Sequence, residues 1–398
     1  MKIKVLLVLV AVMLLSGCAS LKDGEGWKGS QKSEFLDILE DDSYASICNN
    51  NRDLYEKVKS SKDSKLMTKL LVSYTQNLAN GCTNIRNSKY YEVYKQRVSE
   101  ANIILHLKGG QSIESILTPY APKYRQFSAL IKKYQKLKKG TPLARKVRKN
   151  IERIKLMKPN VGNNYALVNI PEFKVRIIEN DKTSLAMRVV VGQKKFKTPV
   201  FSAKLQYITL NPQWSVPDSI ARNEIIPKLM RNKSYHKGRN MVIIKDTYDL
   251  RGKKVDASSV DWSKYKGGQG YVPYKFVQVP SRRNGLGRVK FIFPNSHSVY
   301  MHDTQSKGLF NRKVRTFSHG CVRLQKPVAM LDYLTAKYTG TGKGTMKKWY
   351  NGLKTKHINL NKRLVVHTAY LTTYVNDAGE LLSFNDVYGY DSNQKFYF

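Results

Sequence analysis

Eight consecutive residues, Phe317-Ser318-His319-Gly320-Cys321-Val322-Arg323-Leu324, collect the groups that cysteine chemistry needs. His302, separated from Ser318 by fifteen residues, adds a second imidazole to the thiol and small hydroxyl of this run. A thiol attacks as thiolate, so it requires a base or a positive field close by. Gly320 lets backbone approach a substrate, and the peptide N–H groups of Gly320 and Cys321 could face a developing oxyanion. A buried structural cysteine is the competing reading, and it explains a lone Cys better than it explains the whole set. Zinc fits poorly: His297, His302, His319 and Cys321 follow no familiar ligand spacing, and no CxxC or carboxylate cluster completes a site. A papain-like peptidase carries its Cys early and its His late, whereas here His302 comes first. No metal or other cofactor is expected.

The flanking patterns indicate how these residues are held. Val289-Lys290-Phe291-Ile292-Phe293 and Ser298-Val299-Tyr300-Met301 read as strands that carry His302 to a strand end. Cys321 is expected just ahead of a helix with Pro327 in its first turn and Val328, Leu331 and Leu334 as its apolar face. In that place the helix dipole would lower the thiol pKa.

Further upstream, residues 34–160 have helical periodicity. Leu66, Leu70, Tyr74 and Leu78 precede a stop at Gly81, and Tyr94, Val98, Ala101 and Leu105 precede Gly109-Gly110. Tyr124, Phe127, Ile131, Tyr134 and Leu137 form a third stripe, and Leu143, Val147, Ile151 and Ile154 a fourth. Residues 159–164 punctuate the chain, after which the period becomes that of strands: Ala166, Val168 and Ile170, then Val175 and Ile177, then 185–191 and 205–210. The strand character returns near the C-terminus, at 363–374. The expected class is therefore α+β, a helical scaffold domain (34–160) followed by a β-rich domain (161–398). Residues 212–287, with scattered Pro and Gly and one helix at 220–230, read as an inserted lid.

The chain of 398 residues is 41% hydrophobic, long enough for two cores, and carries a net charge of +41. Such a charge favours anionic surroundings. The N-terminus argues against nucleic acid as the partner. Met1-Lys2-Ile3-Lys4 is a basic start, residues 5–15 are an apolar run too short for a permanent span, and Leu15-Ser16-Gly17-Cys18 follows. The tetrapeptide resembles a bacterial lipobox, which implies a signal peptide (1–17), a lipidated Cys18 and a Gly/Ser/Lys-rich tether (18–33). Ala19, not Asp, after the Cys implies sorting to the outer membrane, facing the periplasm. Export leaves Cys48 and Cys82 as candidates for a disulfide in an oxidising compartment.

The combination of His302, fifteen residues and Ser318-His319-Gly320-Cys321-Val322-Arg323 resembles the signature of the bacterial L,D-transpeptidase catalytic domain. The resemblance extends over about residues 120–390. It includes Val168-Asn169-Ile170-Pro171, Val191-Gly192, Lys197-Thr198-Pro199-Val200-Phe201, Leu210-Asn211-Pro212 and Trp214-Ser215-Val216-Pro217. Ser219-Ile220-Ala221, Leu286-Gly287-Arg288-Val289-Lys290-Phe291, Phe293-Pro294-Asn295 and His302-Asp303-Thr304 complete it and point to the long, lid-bearing Gram-negative members. The resemblance implies a β-rich fold in which Cys321 attacks a peptidoglycan tetrapeptide stem and releases its terminal D-Ala. A second stem amine then takes the acyl group, giving a 3→3 cross-link, and carbapenems are expected to acylate the thiol. His302 would be the base, held by a backbone carbonyl; Gly320, Cys321 and the Tyr300 hydroxyl would stabilise the oxyanion. Ser318 and His319 would shape the loop, and Arg323, Trp214 and Asn295 are candidates for touching the stem. Asp303 follows His302 directly, and its side chain need not reach the ring. No wall-binding module of the kind often found in long members is visible at 138–161. An L,D-carboxypeptidase, an enzyme attaching a protein to the wall, and a wall-binding structural lipoprotein are the alternatives.

Overall fold

The computed structural model describes residues 26–159 and 162–398; the leader, Cys18 and the first part of the tether lie outside the described residues. Order begins earlier than the tether expectation allowed. Helix α1 spans Gly29–Glu40, and Gln31 is buried because its side-chain amide donates to the carbonyls of Leu107 and Gln111 at 3.0 and 2.6 Å. Six more helices follow: α2 (Arg52–Ser61), α3 (Ser64–Asn80), α4 (Glu100–Lys108), α5 (Ile113–Leu117), α6 (Arg125–Gln135) and α7 (Pro142–Lys155).

Their ends follow capping chemistry. The Asp63 carboxylate accepts from Leu66 N–H at 2.8 Å to start α3, and Gly81, at φ +72°, ends it. Pro142 and the Thr141 hydroxyl start α7. Two of the expected stripes shift. Helix α4 begins only after its Ser99 cap, so Tyr94 and Val98 lie in an extended segment, Leu105 is exposed, and Ile103 and Leu107 are the buried pair. In α7, Leu143 is exposed while Val147, Ile151 and Ile154 are buried. Cys48 and Cys82 are joined as a disulfide, with Cα atoms 5.9 Å apart.

The strands are β1 (Asn164–Asn169), β2 (Lys174–Glu179), β3 (Lys182–Gly192), β4 (Phe201–Leu210), β5 (Trp214–Ser215), β6 (Met241–Lys245), β7 (Tyr274–Gln278), β8 (Val289–Ile292), β9 (Met301–His302), β10 (Thr316–Ser318), β11 (Val322–Leu324), β12 (Lys356–Ala369), β13 (Thr373–Val375) and β14 (Leu381–Ser383). Nine of them form one sheet in the order β10-β3-β11-β9-β8-β4-β12-β1-β2, and β2 also pairs with β3, so the sheet closes on itself. Strand β1 shows why its alternation understates burial. Ala166 and Val168 enter the core under the sheet, while Tyr165 and Leu167 on the opposite face pack into the core of the helical region. The C-terminal residues then return to the helices. Gln126 bonds Val375 through both amide atoms, and Arg153 meets Asp391 at 2.6 Å.

Residues 212–287 build a layer of their own. Strands β5, β7 and β6 pair in that order over a small core with Trp262 at its centre. The helix expected at 220–230 is present but broken: Asp218–Ile220, a π turn at Ala221–Ile225, then Ile226–Arg231 with Pro227 in its first turn.

Candidate active site

The side chains converge through strand register. Parallel pairing sets Val322 opposite Met301 and Arg323 opposite His302, and antiparallel pairing sets Lys290 opposite His302. Opposed residues share a face, so Lys290, His302 and Arg323 form a row across three neighbouring strands. Cys321 precedes β11 and lies level with Tyr300, whose carbonyl accepts from Val322 N–H at 3.0 Å. The expected helix is present, with Pro327 at its start, but it does not follow the thiol directly. Helix α8 (Pro327–Tyr338) starts six residues after Cys321, with Val328 exposed and Met330, Leu331 and Leu334 inside. A three-residue strand separates thiol from helix, so the dipole that was expected to acidify the thiol is not placed to do so.

Local charge takes over that role. Cys321 is reachable from the cavity but otherwise surrounded by protein, and burial raises its pKa above the ordinary value. The backbone and hydroxyl of Tyr300, followed by the charges of Lys290 and Arg323, pull it back part of the way. His302 is buried, and burial followed by the Arg323 charge pushes it down to about 3, so its ring is neutral. Its Nδ1 contacts the backbone carbonyl of Asp303 at 2.5 Å, which fixes the donor on that nitrogen and leaves Nε2 as acceptor. The Asp303 carboxylate is turned elsewhere, accepting from Arg288 N–H at 2.9 Å, Thr304 N–H at 2.7 Å and Lys307 Nζ at 2.5 Å. Gly287, at φ +66°, makes room for it: a Cβ there would stand 2.2 Å from the Asp303 carboxylate.

The nucleophile loop is held by its own polar groups. The Ser318 hydroxyl donates to the Cys321 carbonyl at 2.6 Å and accepts from Gly320 N–H at 3.2 Å. The Gly320 N–H is therefore occupied, whereas Cys321 N–H has no hydrogen-bond partner among the described residues. The available oxyanion donors are Cys321 N–H and the Tyr300 hydroxyl, not the Gly320–Cys321 pair. Gly320 instead supplies its φ of +115° and a carbonyl that accepts from the Thr198 hydroxyl at 2.7 Å. Thr198 also receives Gly192 N–H and donates its own N–H to Tyr388, whose hydroxyl returns to the Gly192 carbonyl. Only Gly fits at 192, where a Cβ would come within 2.0 Å of the Phe196 carbonyl.

Residues of the 212–287 layer line a cavity of about 640 Å³ together with these groups. Trp214 lines it, beside Gly285. His319 faces the lid, with Nε2 3.1 Å from Glu224 and its ring 4.6 Å from that of Phe196. Asn295 does not join the site. Its amide nitrogen donates to Phe293 and Val299 carbonyls and its oxygen accepts from His297 and Val299, so it organises a turn. His297, a wall residue, is held at 2.9 Å by Glu92 from the segment after the helical bundle's disulfide.

Lys290, Glu224, Thr198 and Tyr388 were not singled out by sequence reasoning. Lys290 had a weak signal, as the one charged residue in an apolar strand, and Thr198 lay in a recognised motif. Tyr388 had none.

Residues 163–350 match the family model described as YkuD, the L,D-transpeptidase catalytic domain. Just under half of the chain is thus similar to an L,D-transpeptidase catalytic domain. Over 324 residues, 80% of this chain, it is 28% identical to a Haemophilus influenzae protein named "Putative L,D-transpeptidase", and it spans 63% of that relative's length. Among solved structures, the L,D-transpeptidase from Mycobacterium smegmatis aligns at 10% identity over 52% of this chain and 58% of its own, with a TM-score of 0.22. A mutant of the Enterococcus faecium L,D-transpeptidase aligns at 11% identity over 76% and 82%, also with a TM-score of 0.22. The matched residues hold strands β1 to β11, the nucleophile loop and the 212–287 layer.

Proposed function

We propose that this protein cross-links peptidoglycan as an L,D-transpeptidase with Cys321 as nucleophile and His302 as base. One observation carries the reading: a neutral, carbonyl-anchored histidine on one strand and the free thiol just ahead of the adjoining strand line one cationic cavity. In the resting site both partners are uncharged. On substrate binding, the Cys321 proton moves through His302 to the departing D-Ala amine as the sulfur–carbon bond forms and the peptide C–N bond breaks. Cys321 N–H and Tyr300 stabilise the tetrahedral oxyanion; burial raises the Tyr300 pKa, which keeps its hydroxyl protonated as a donor.

The donor stem brings carboxylates. Arg323 Nε is buried without a hydrogen-bond partner, and Lys290 points its ammonium over the Tyr300 ring at 3.8 Å. Together they suit a stem carboxylate better than any group already present. A lipid anchor at Cys18 would hold the enzyme at the outer membrane, its helical region acting as a spacer or partner surface. Incubation with tetrapeptide muropeptides tests the reading: a thioester adduct at Cys321 and 3→3 dimers are expected. Tripeptide without dimers would favour the carboxypeptidase alternative, and no adduct would refute the mechanism.

A further inference from the structure

The lining of the cavity is unequal in charge. Lys228, Arg239, Arg283, Lys290 and Arg323 contribute five cations, and Glu224 is the single carboxylate among the described lining residues. Five cations suit a carboxylate-bearing donor, yet they repel the second substrate of transpeptidation, an amine that arrives as ammonium. Glu224 is placed to reverse that local field. The π turn Ala221–Ile225 carries it from the lid toward the nucleophile loop, and π turns recur where a side chain must be re-aimed for function. Its Oε1 lies 3.1 Å from Nε2 of His319, two residues before Cys321. Its side chain lines the cavity and stays 44% exposed, and no other hydrogen bond to it is present among the described residues. His319 bonding, opposed by burial and helped by His319, Lys228 and Arg323 charges, keeps the carboxylate ionised.

We infer that Glu224 is the binding site for the acceptor ammonium, by which the lid favours an amine over water as second substrate. The inference rests on the acyl-enzyme reading above. With the acyl group on Cys321, the ammonium docks at the open oxygen of Glu224 and loses one proton to solvent. The amine nitrogen then attacks the thioester carbonyl, the C–N bond forms and the C–S bond breaks. The second nitrogen proton passes through His302 to the sulfur, leaving an amide and a free thiol. Of the reacting groups, Glu224 touches the incoming amine alone.

The test starts from acyl-enzyme made with the full chain and a tetrapeptide donor, and compares its aminolysis by acceptor stem with its hydrolysis. In Glu224→Gln the ratio of aminolysis to hydrolysis is expected to fall about tenfold, the scale of a lost charge-assisted hydrogen bond. Glu224→Asp, which keeps the charge, should lose less. Hydroxylamine, uncharged at neutral pH, should attack the Glu224→Gln acyl-enzyme at the unsubstituted rate. An unchanged ratio, or equal losses with ammonium and hydroxylamine acceptors, would overturn the inference and leave Glu224 as a lid contact. Failure of the unsubstituted chain to form any acyl-enzyme would instead remove the proposed function beneath it.

Discussion

Two arginines lie beside sulfur in this protein, and their surroundings separate a structural charge from a functional one. In the helical region Arg148 is buried against the Cys48–Cys82 disulfide, 3.8 and 3.6 Å from the two sulfurs. Every nitrogen it offers is used: Glu152 at 2.7 Å, Asp42 at 3.0 Å and the Ile47 carbonyl at 3.3 Å. Burial alone would lower its pKa, but Glu152 and Asp42 more than offset this and hold it above the ordinary value. In the cavity Arg323 has a buried, unpartnered Nε, and burial pushes its pKa down. The first cluster balances two cations, Arg148 and Lys155, with two carboxylates. The second leaves positive charge unspent beside a thiol. Saturated polar clusters specify a core, whereas unsaturated ones await a ligand.

The largest effect should come from the thiol itself. Cys321→Ala is expected to reduce cross-linking by roughly four orders of magnitude or more while leaving thermal unfolding unchanged, because one small side chain at a cavity floor is lost. Arg148→Met should do the reverse. It leaves Lys155 as the one buried cation beside the Glu152 and Asp42 carboxylates, a loss of about 3–5 kcal/mol in denaturant unfolding, with the acylation rate of the remaining folded fraction preserved. Arg323→Gln is expected to raise KM for the tetrapeptide donor about tenfold with little change in melting temperature. Should Arg323→Gln unfold the protein as Arg148→Met does, the contrast between the two clusters would collapse.

How much of this was legible in sequence depends on the distance over which each feature is encoded. Cys321, His302 and Gly320 could be read because types and spacing survive in a short stretch, and α3 because its cap and stop flank a regular stripe. The helix at Pro327 was legible, but its expected closeness to the thiol was not met, because Val322-Arg323-Leu324 is a strand only through its pairing with β3 and β9, which the local pattern does not contain. The pairing of Lys290 with His302, of Glu224 with His319 and of Tyr388 with Gly192 depends on contacts between distant segments. Leu105 and Leu143 were assigned to a core because periodicity gives a stripe but not its phase against the neighbouring helix. Asn295 had the right chemistry and the wrong neighbours, since four turn hydrogen bonds already engage it.

The charge near Cys321 also sets a pH dependence, the smallest effect and the one most sensitive to the comparison. His302, at about 3, stays neutral through the working range, so it cannot form a resting imidazolium that would hold a thiolate. Cys321 has its pKa raised by burial, so the thiol is protonated below that value and thiolate accumulates as pH increases. Iodoacetamide modification should therefore climb by roughly tenfold per unit from about pH 5 to about pH 9, without an intermediate plateau. A thiolate–imidazolium pair would instead give a plateau between its two macroscopic pKa values. Lys290→Met removes one of the cations that partly counter burial, moves the thiol pKa higher still, and should slow modification about threefold at a fixed neutral pH. A plateau in the unsubstituted protein, or faster modification in Lys290→Met, would show that the unspent charge in the cavity does not act on the thiol.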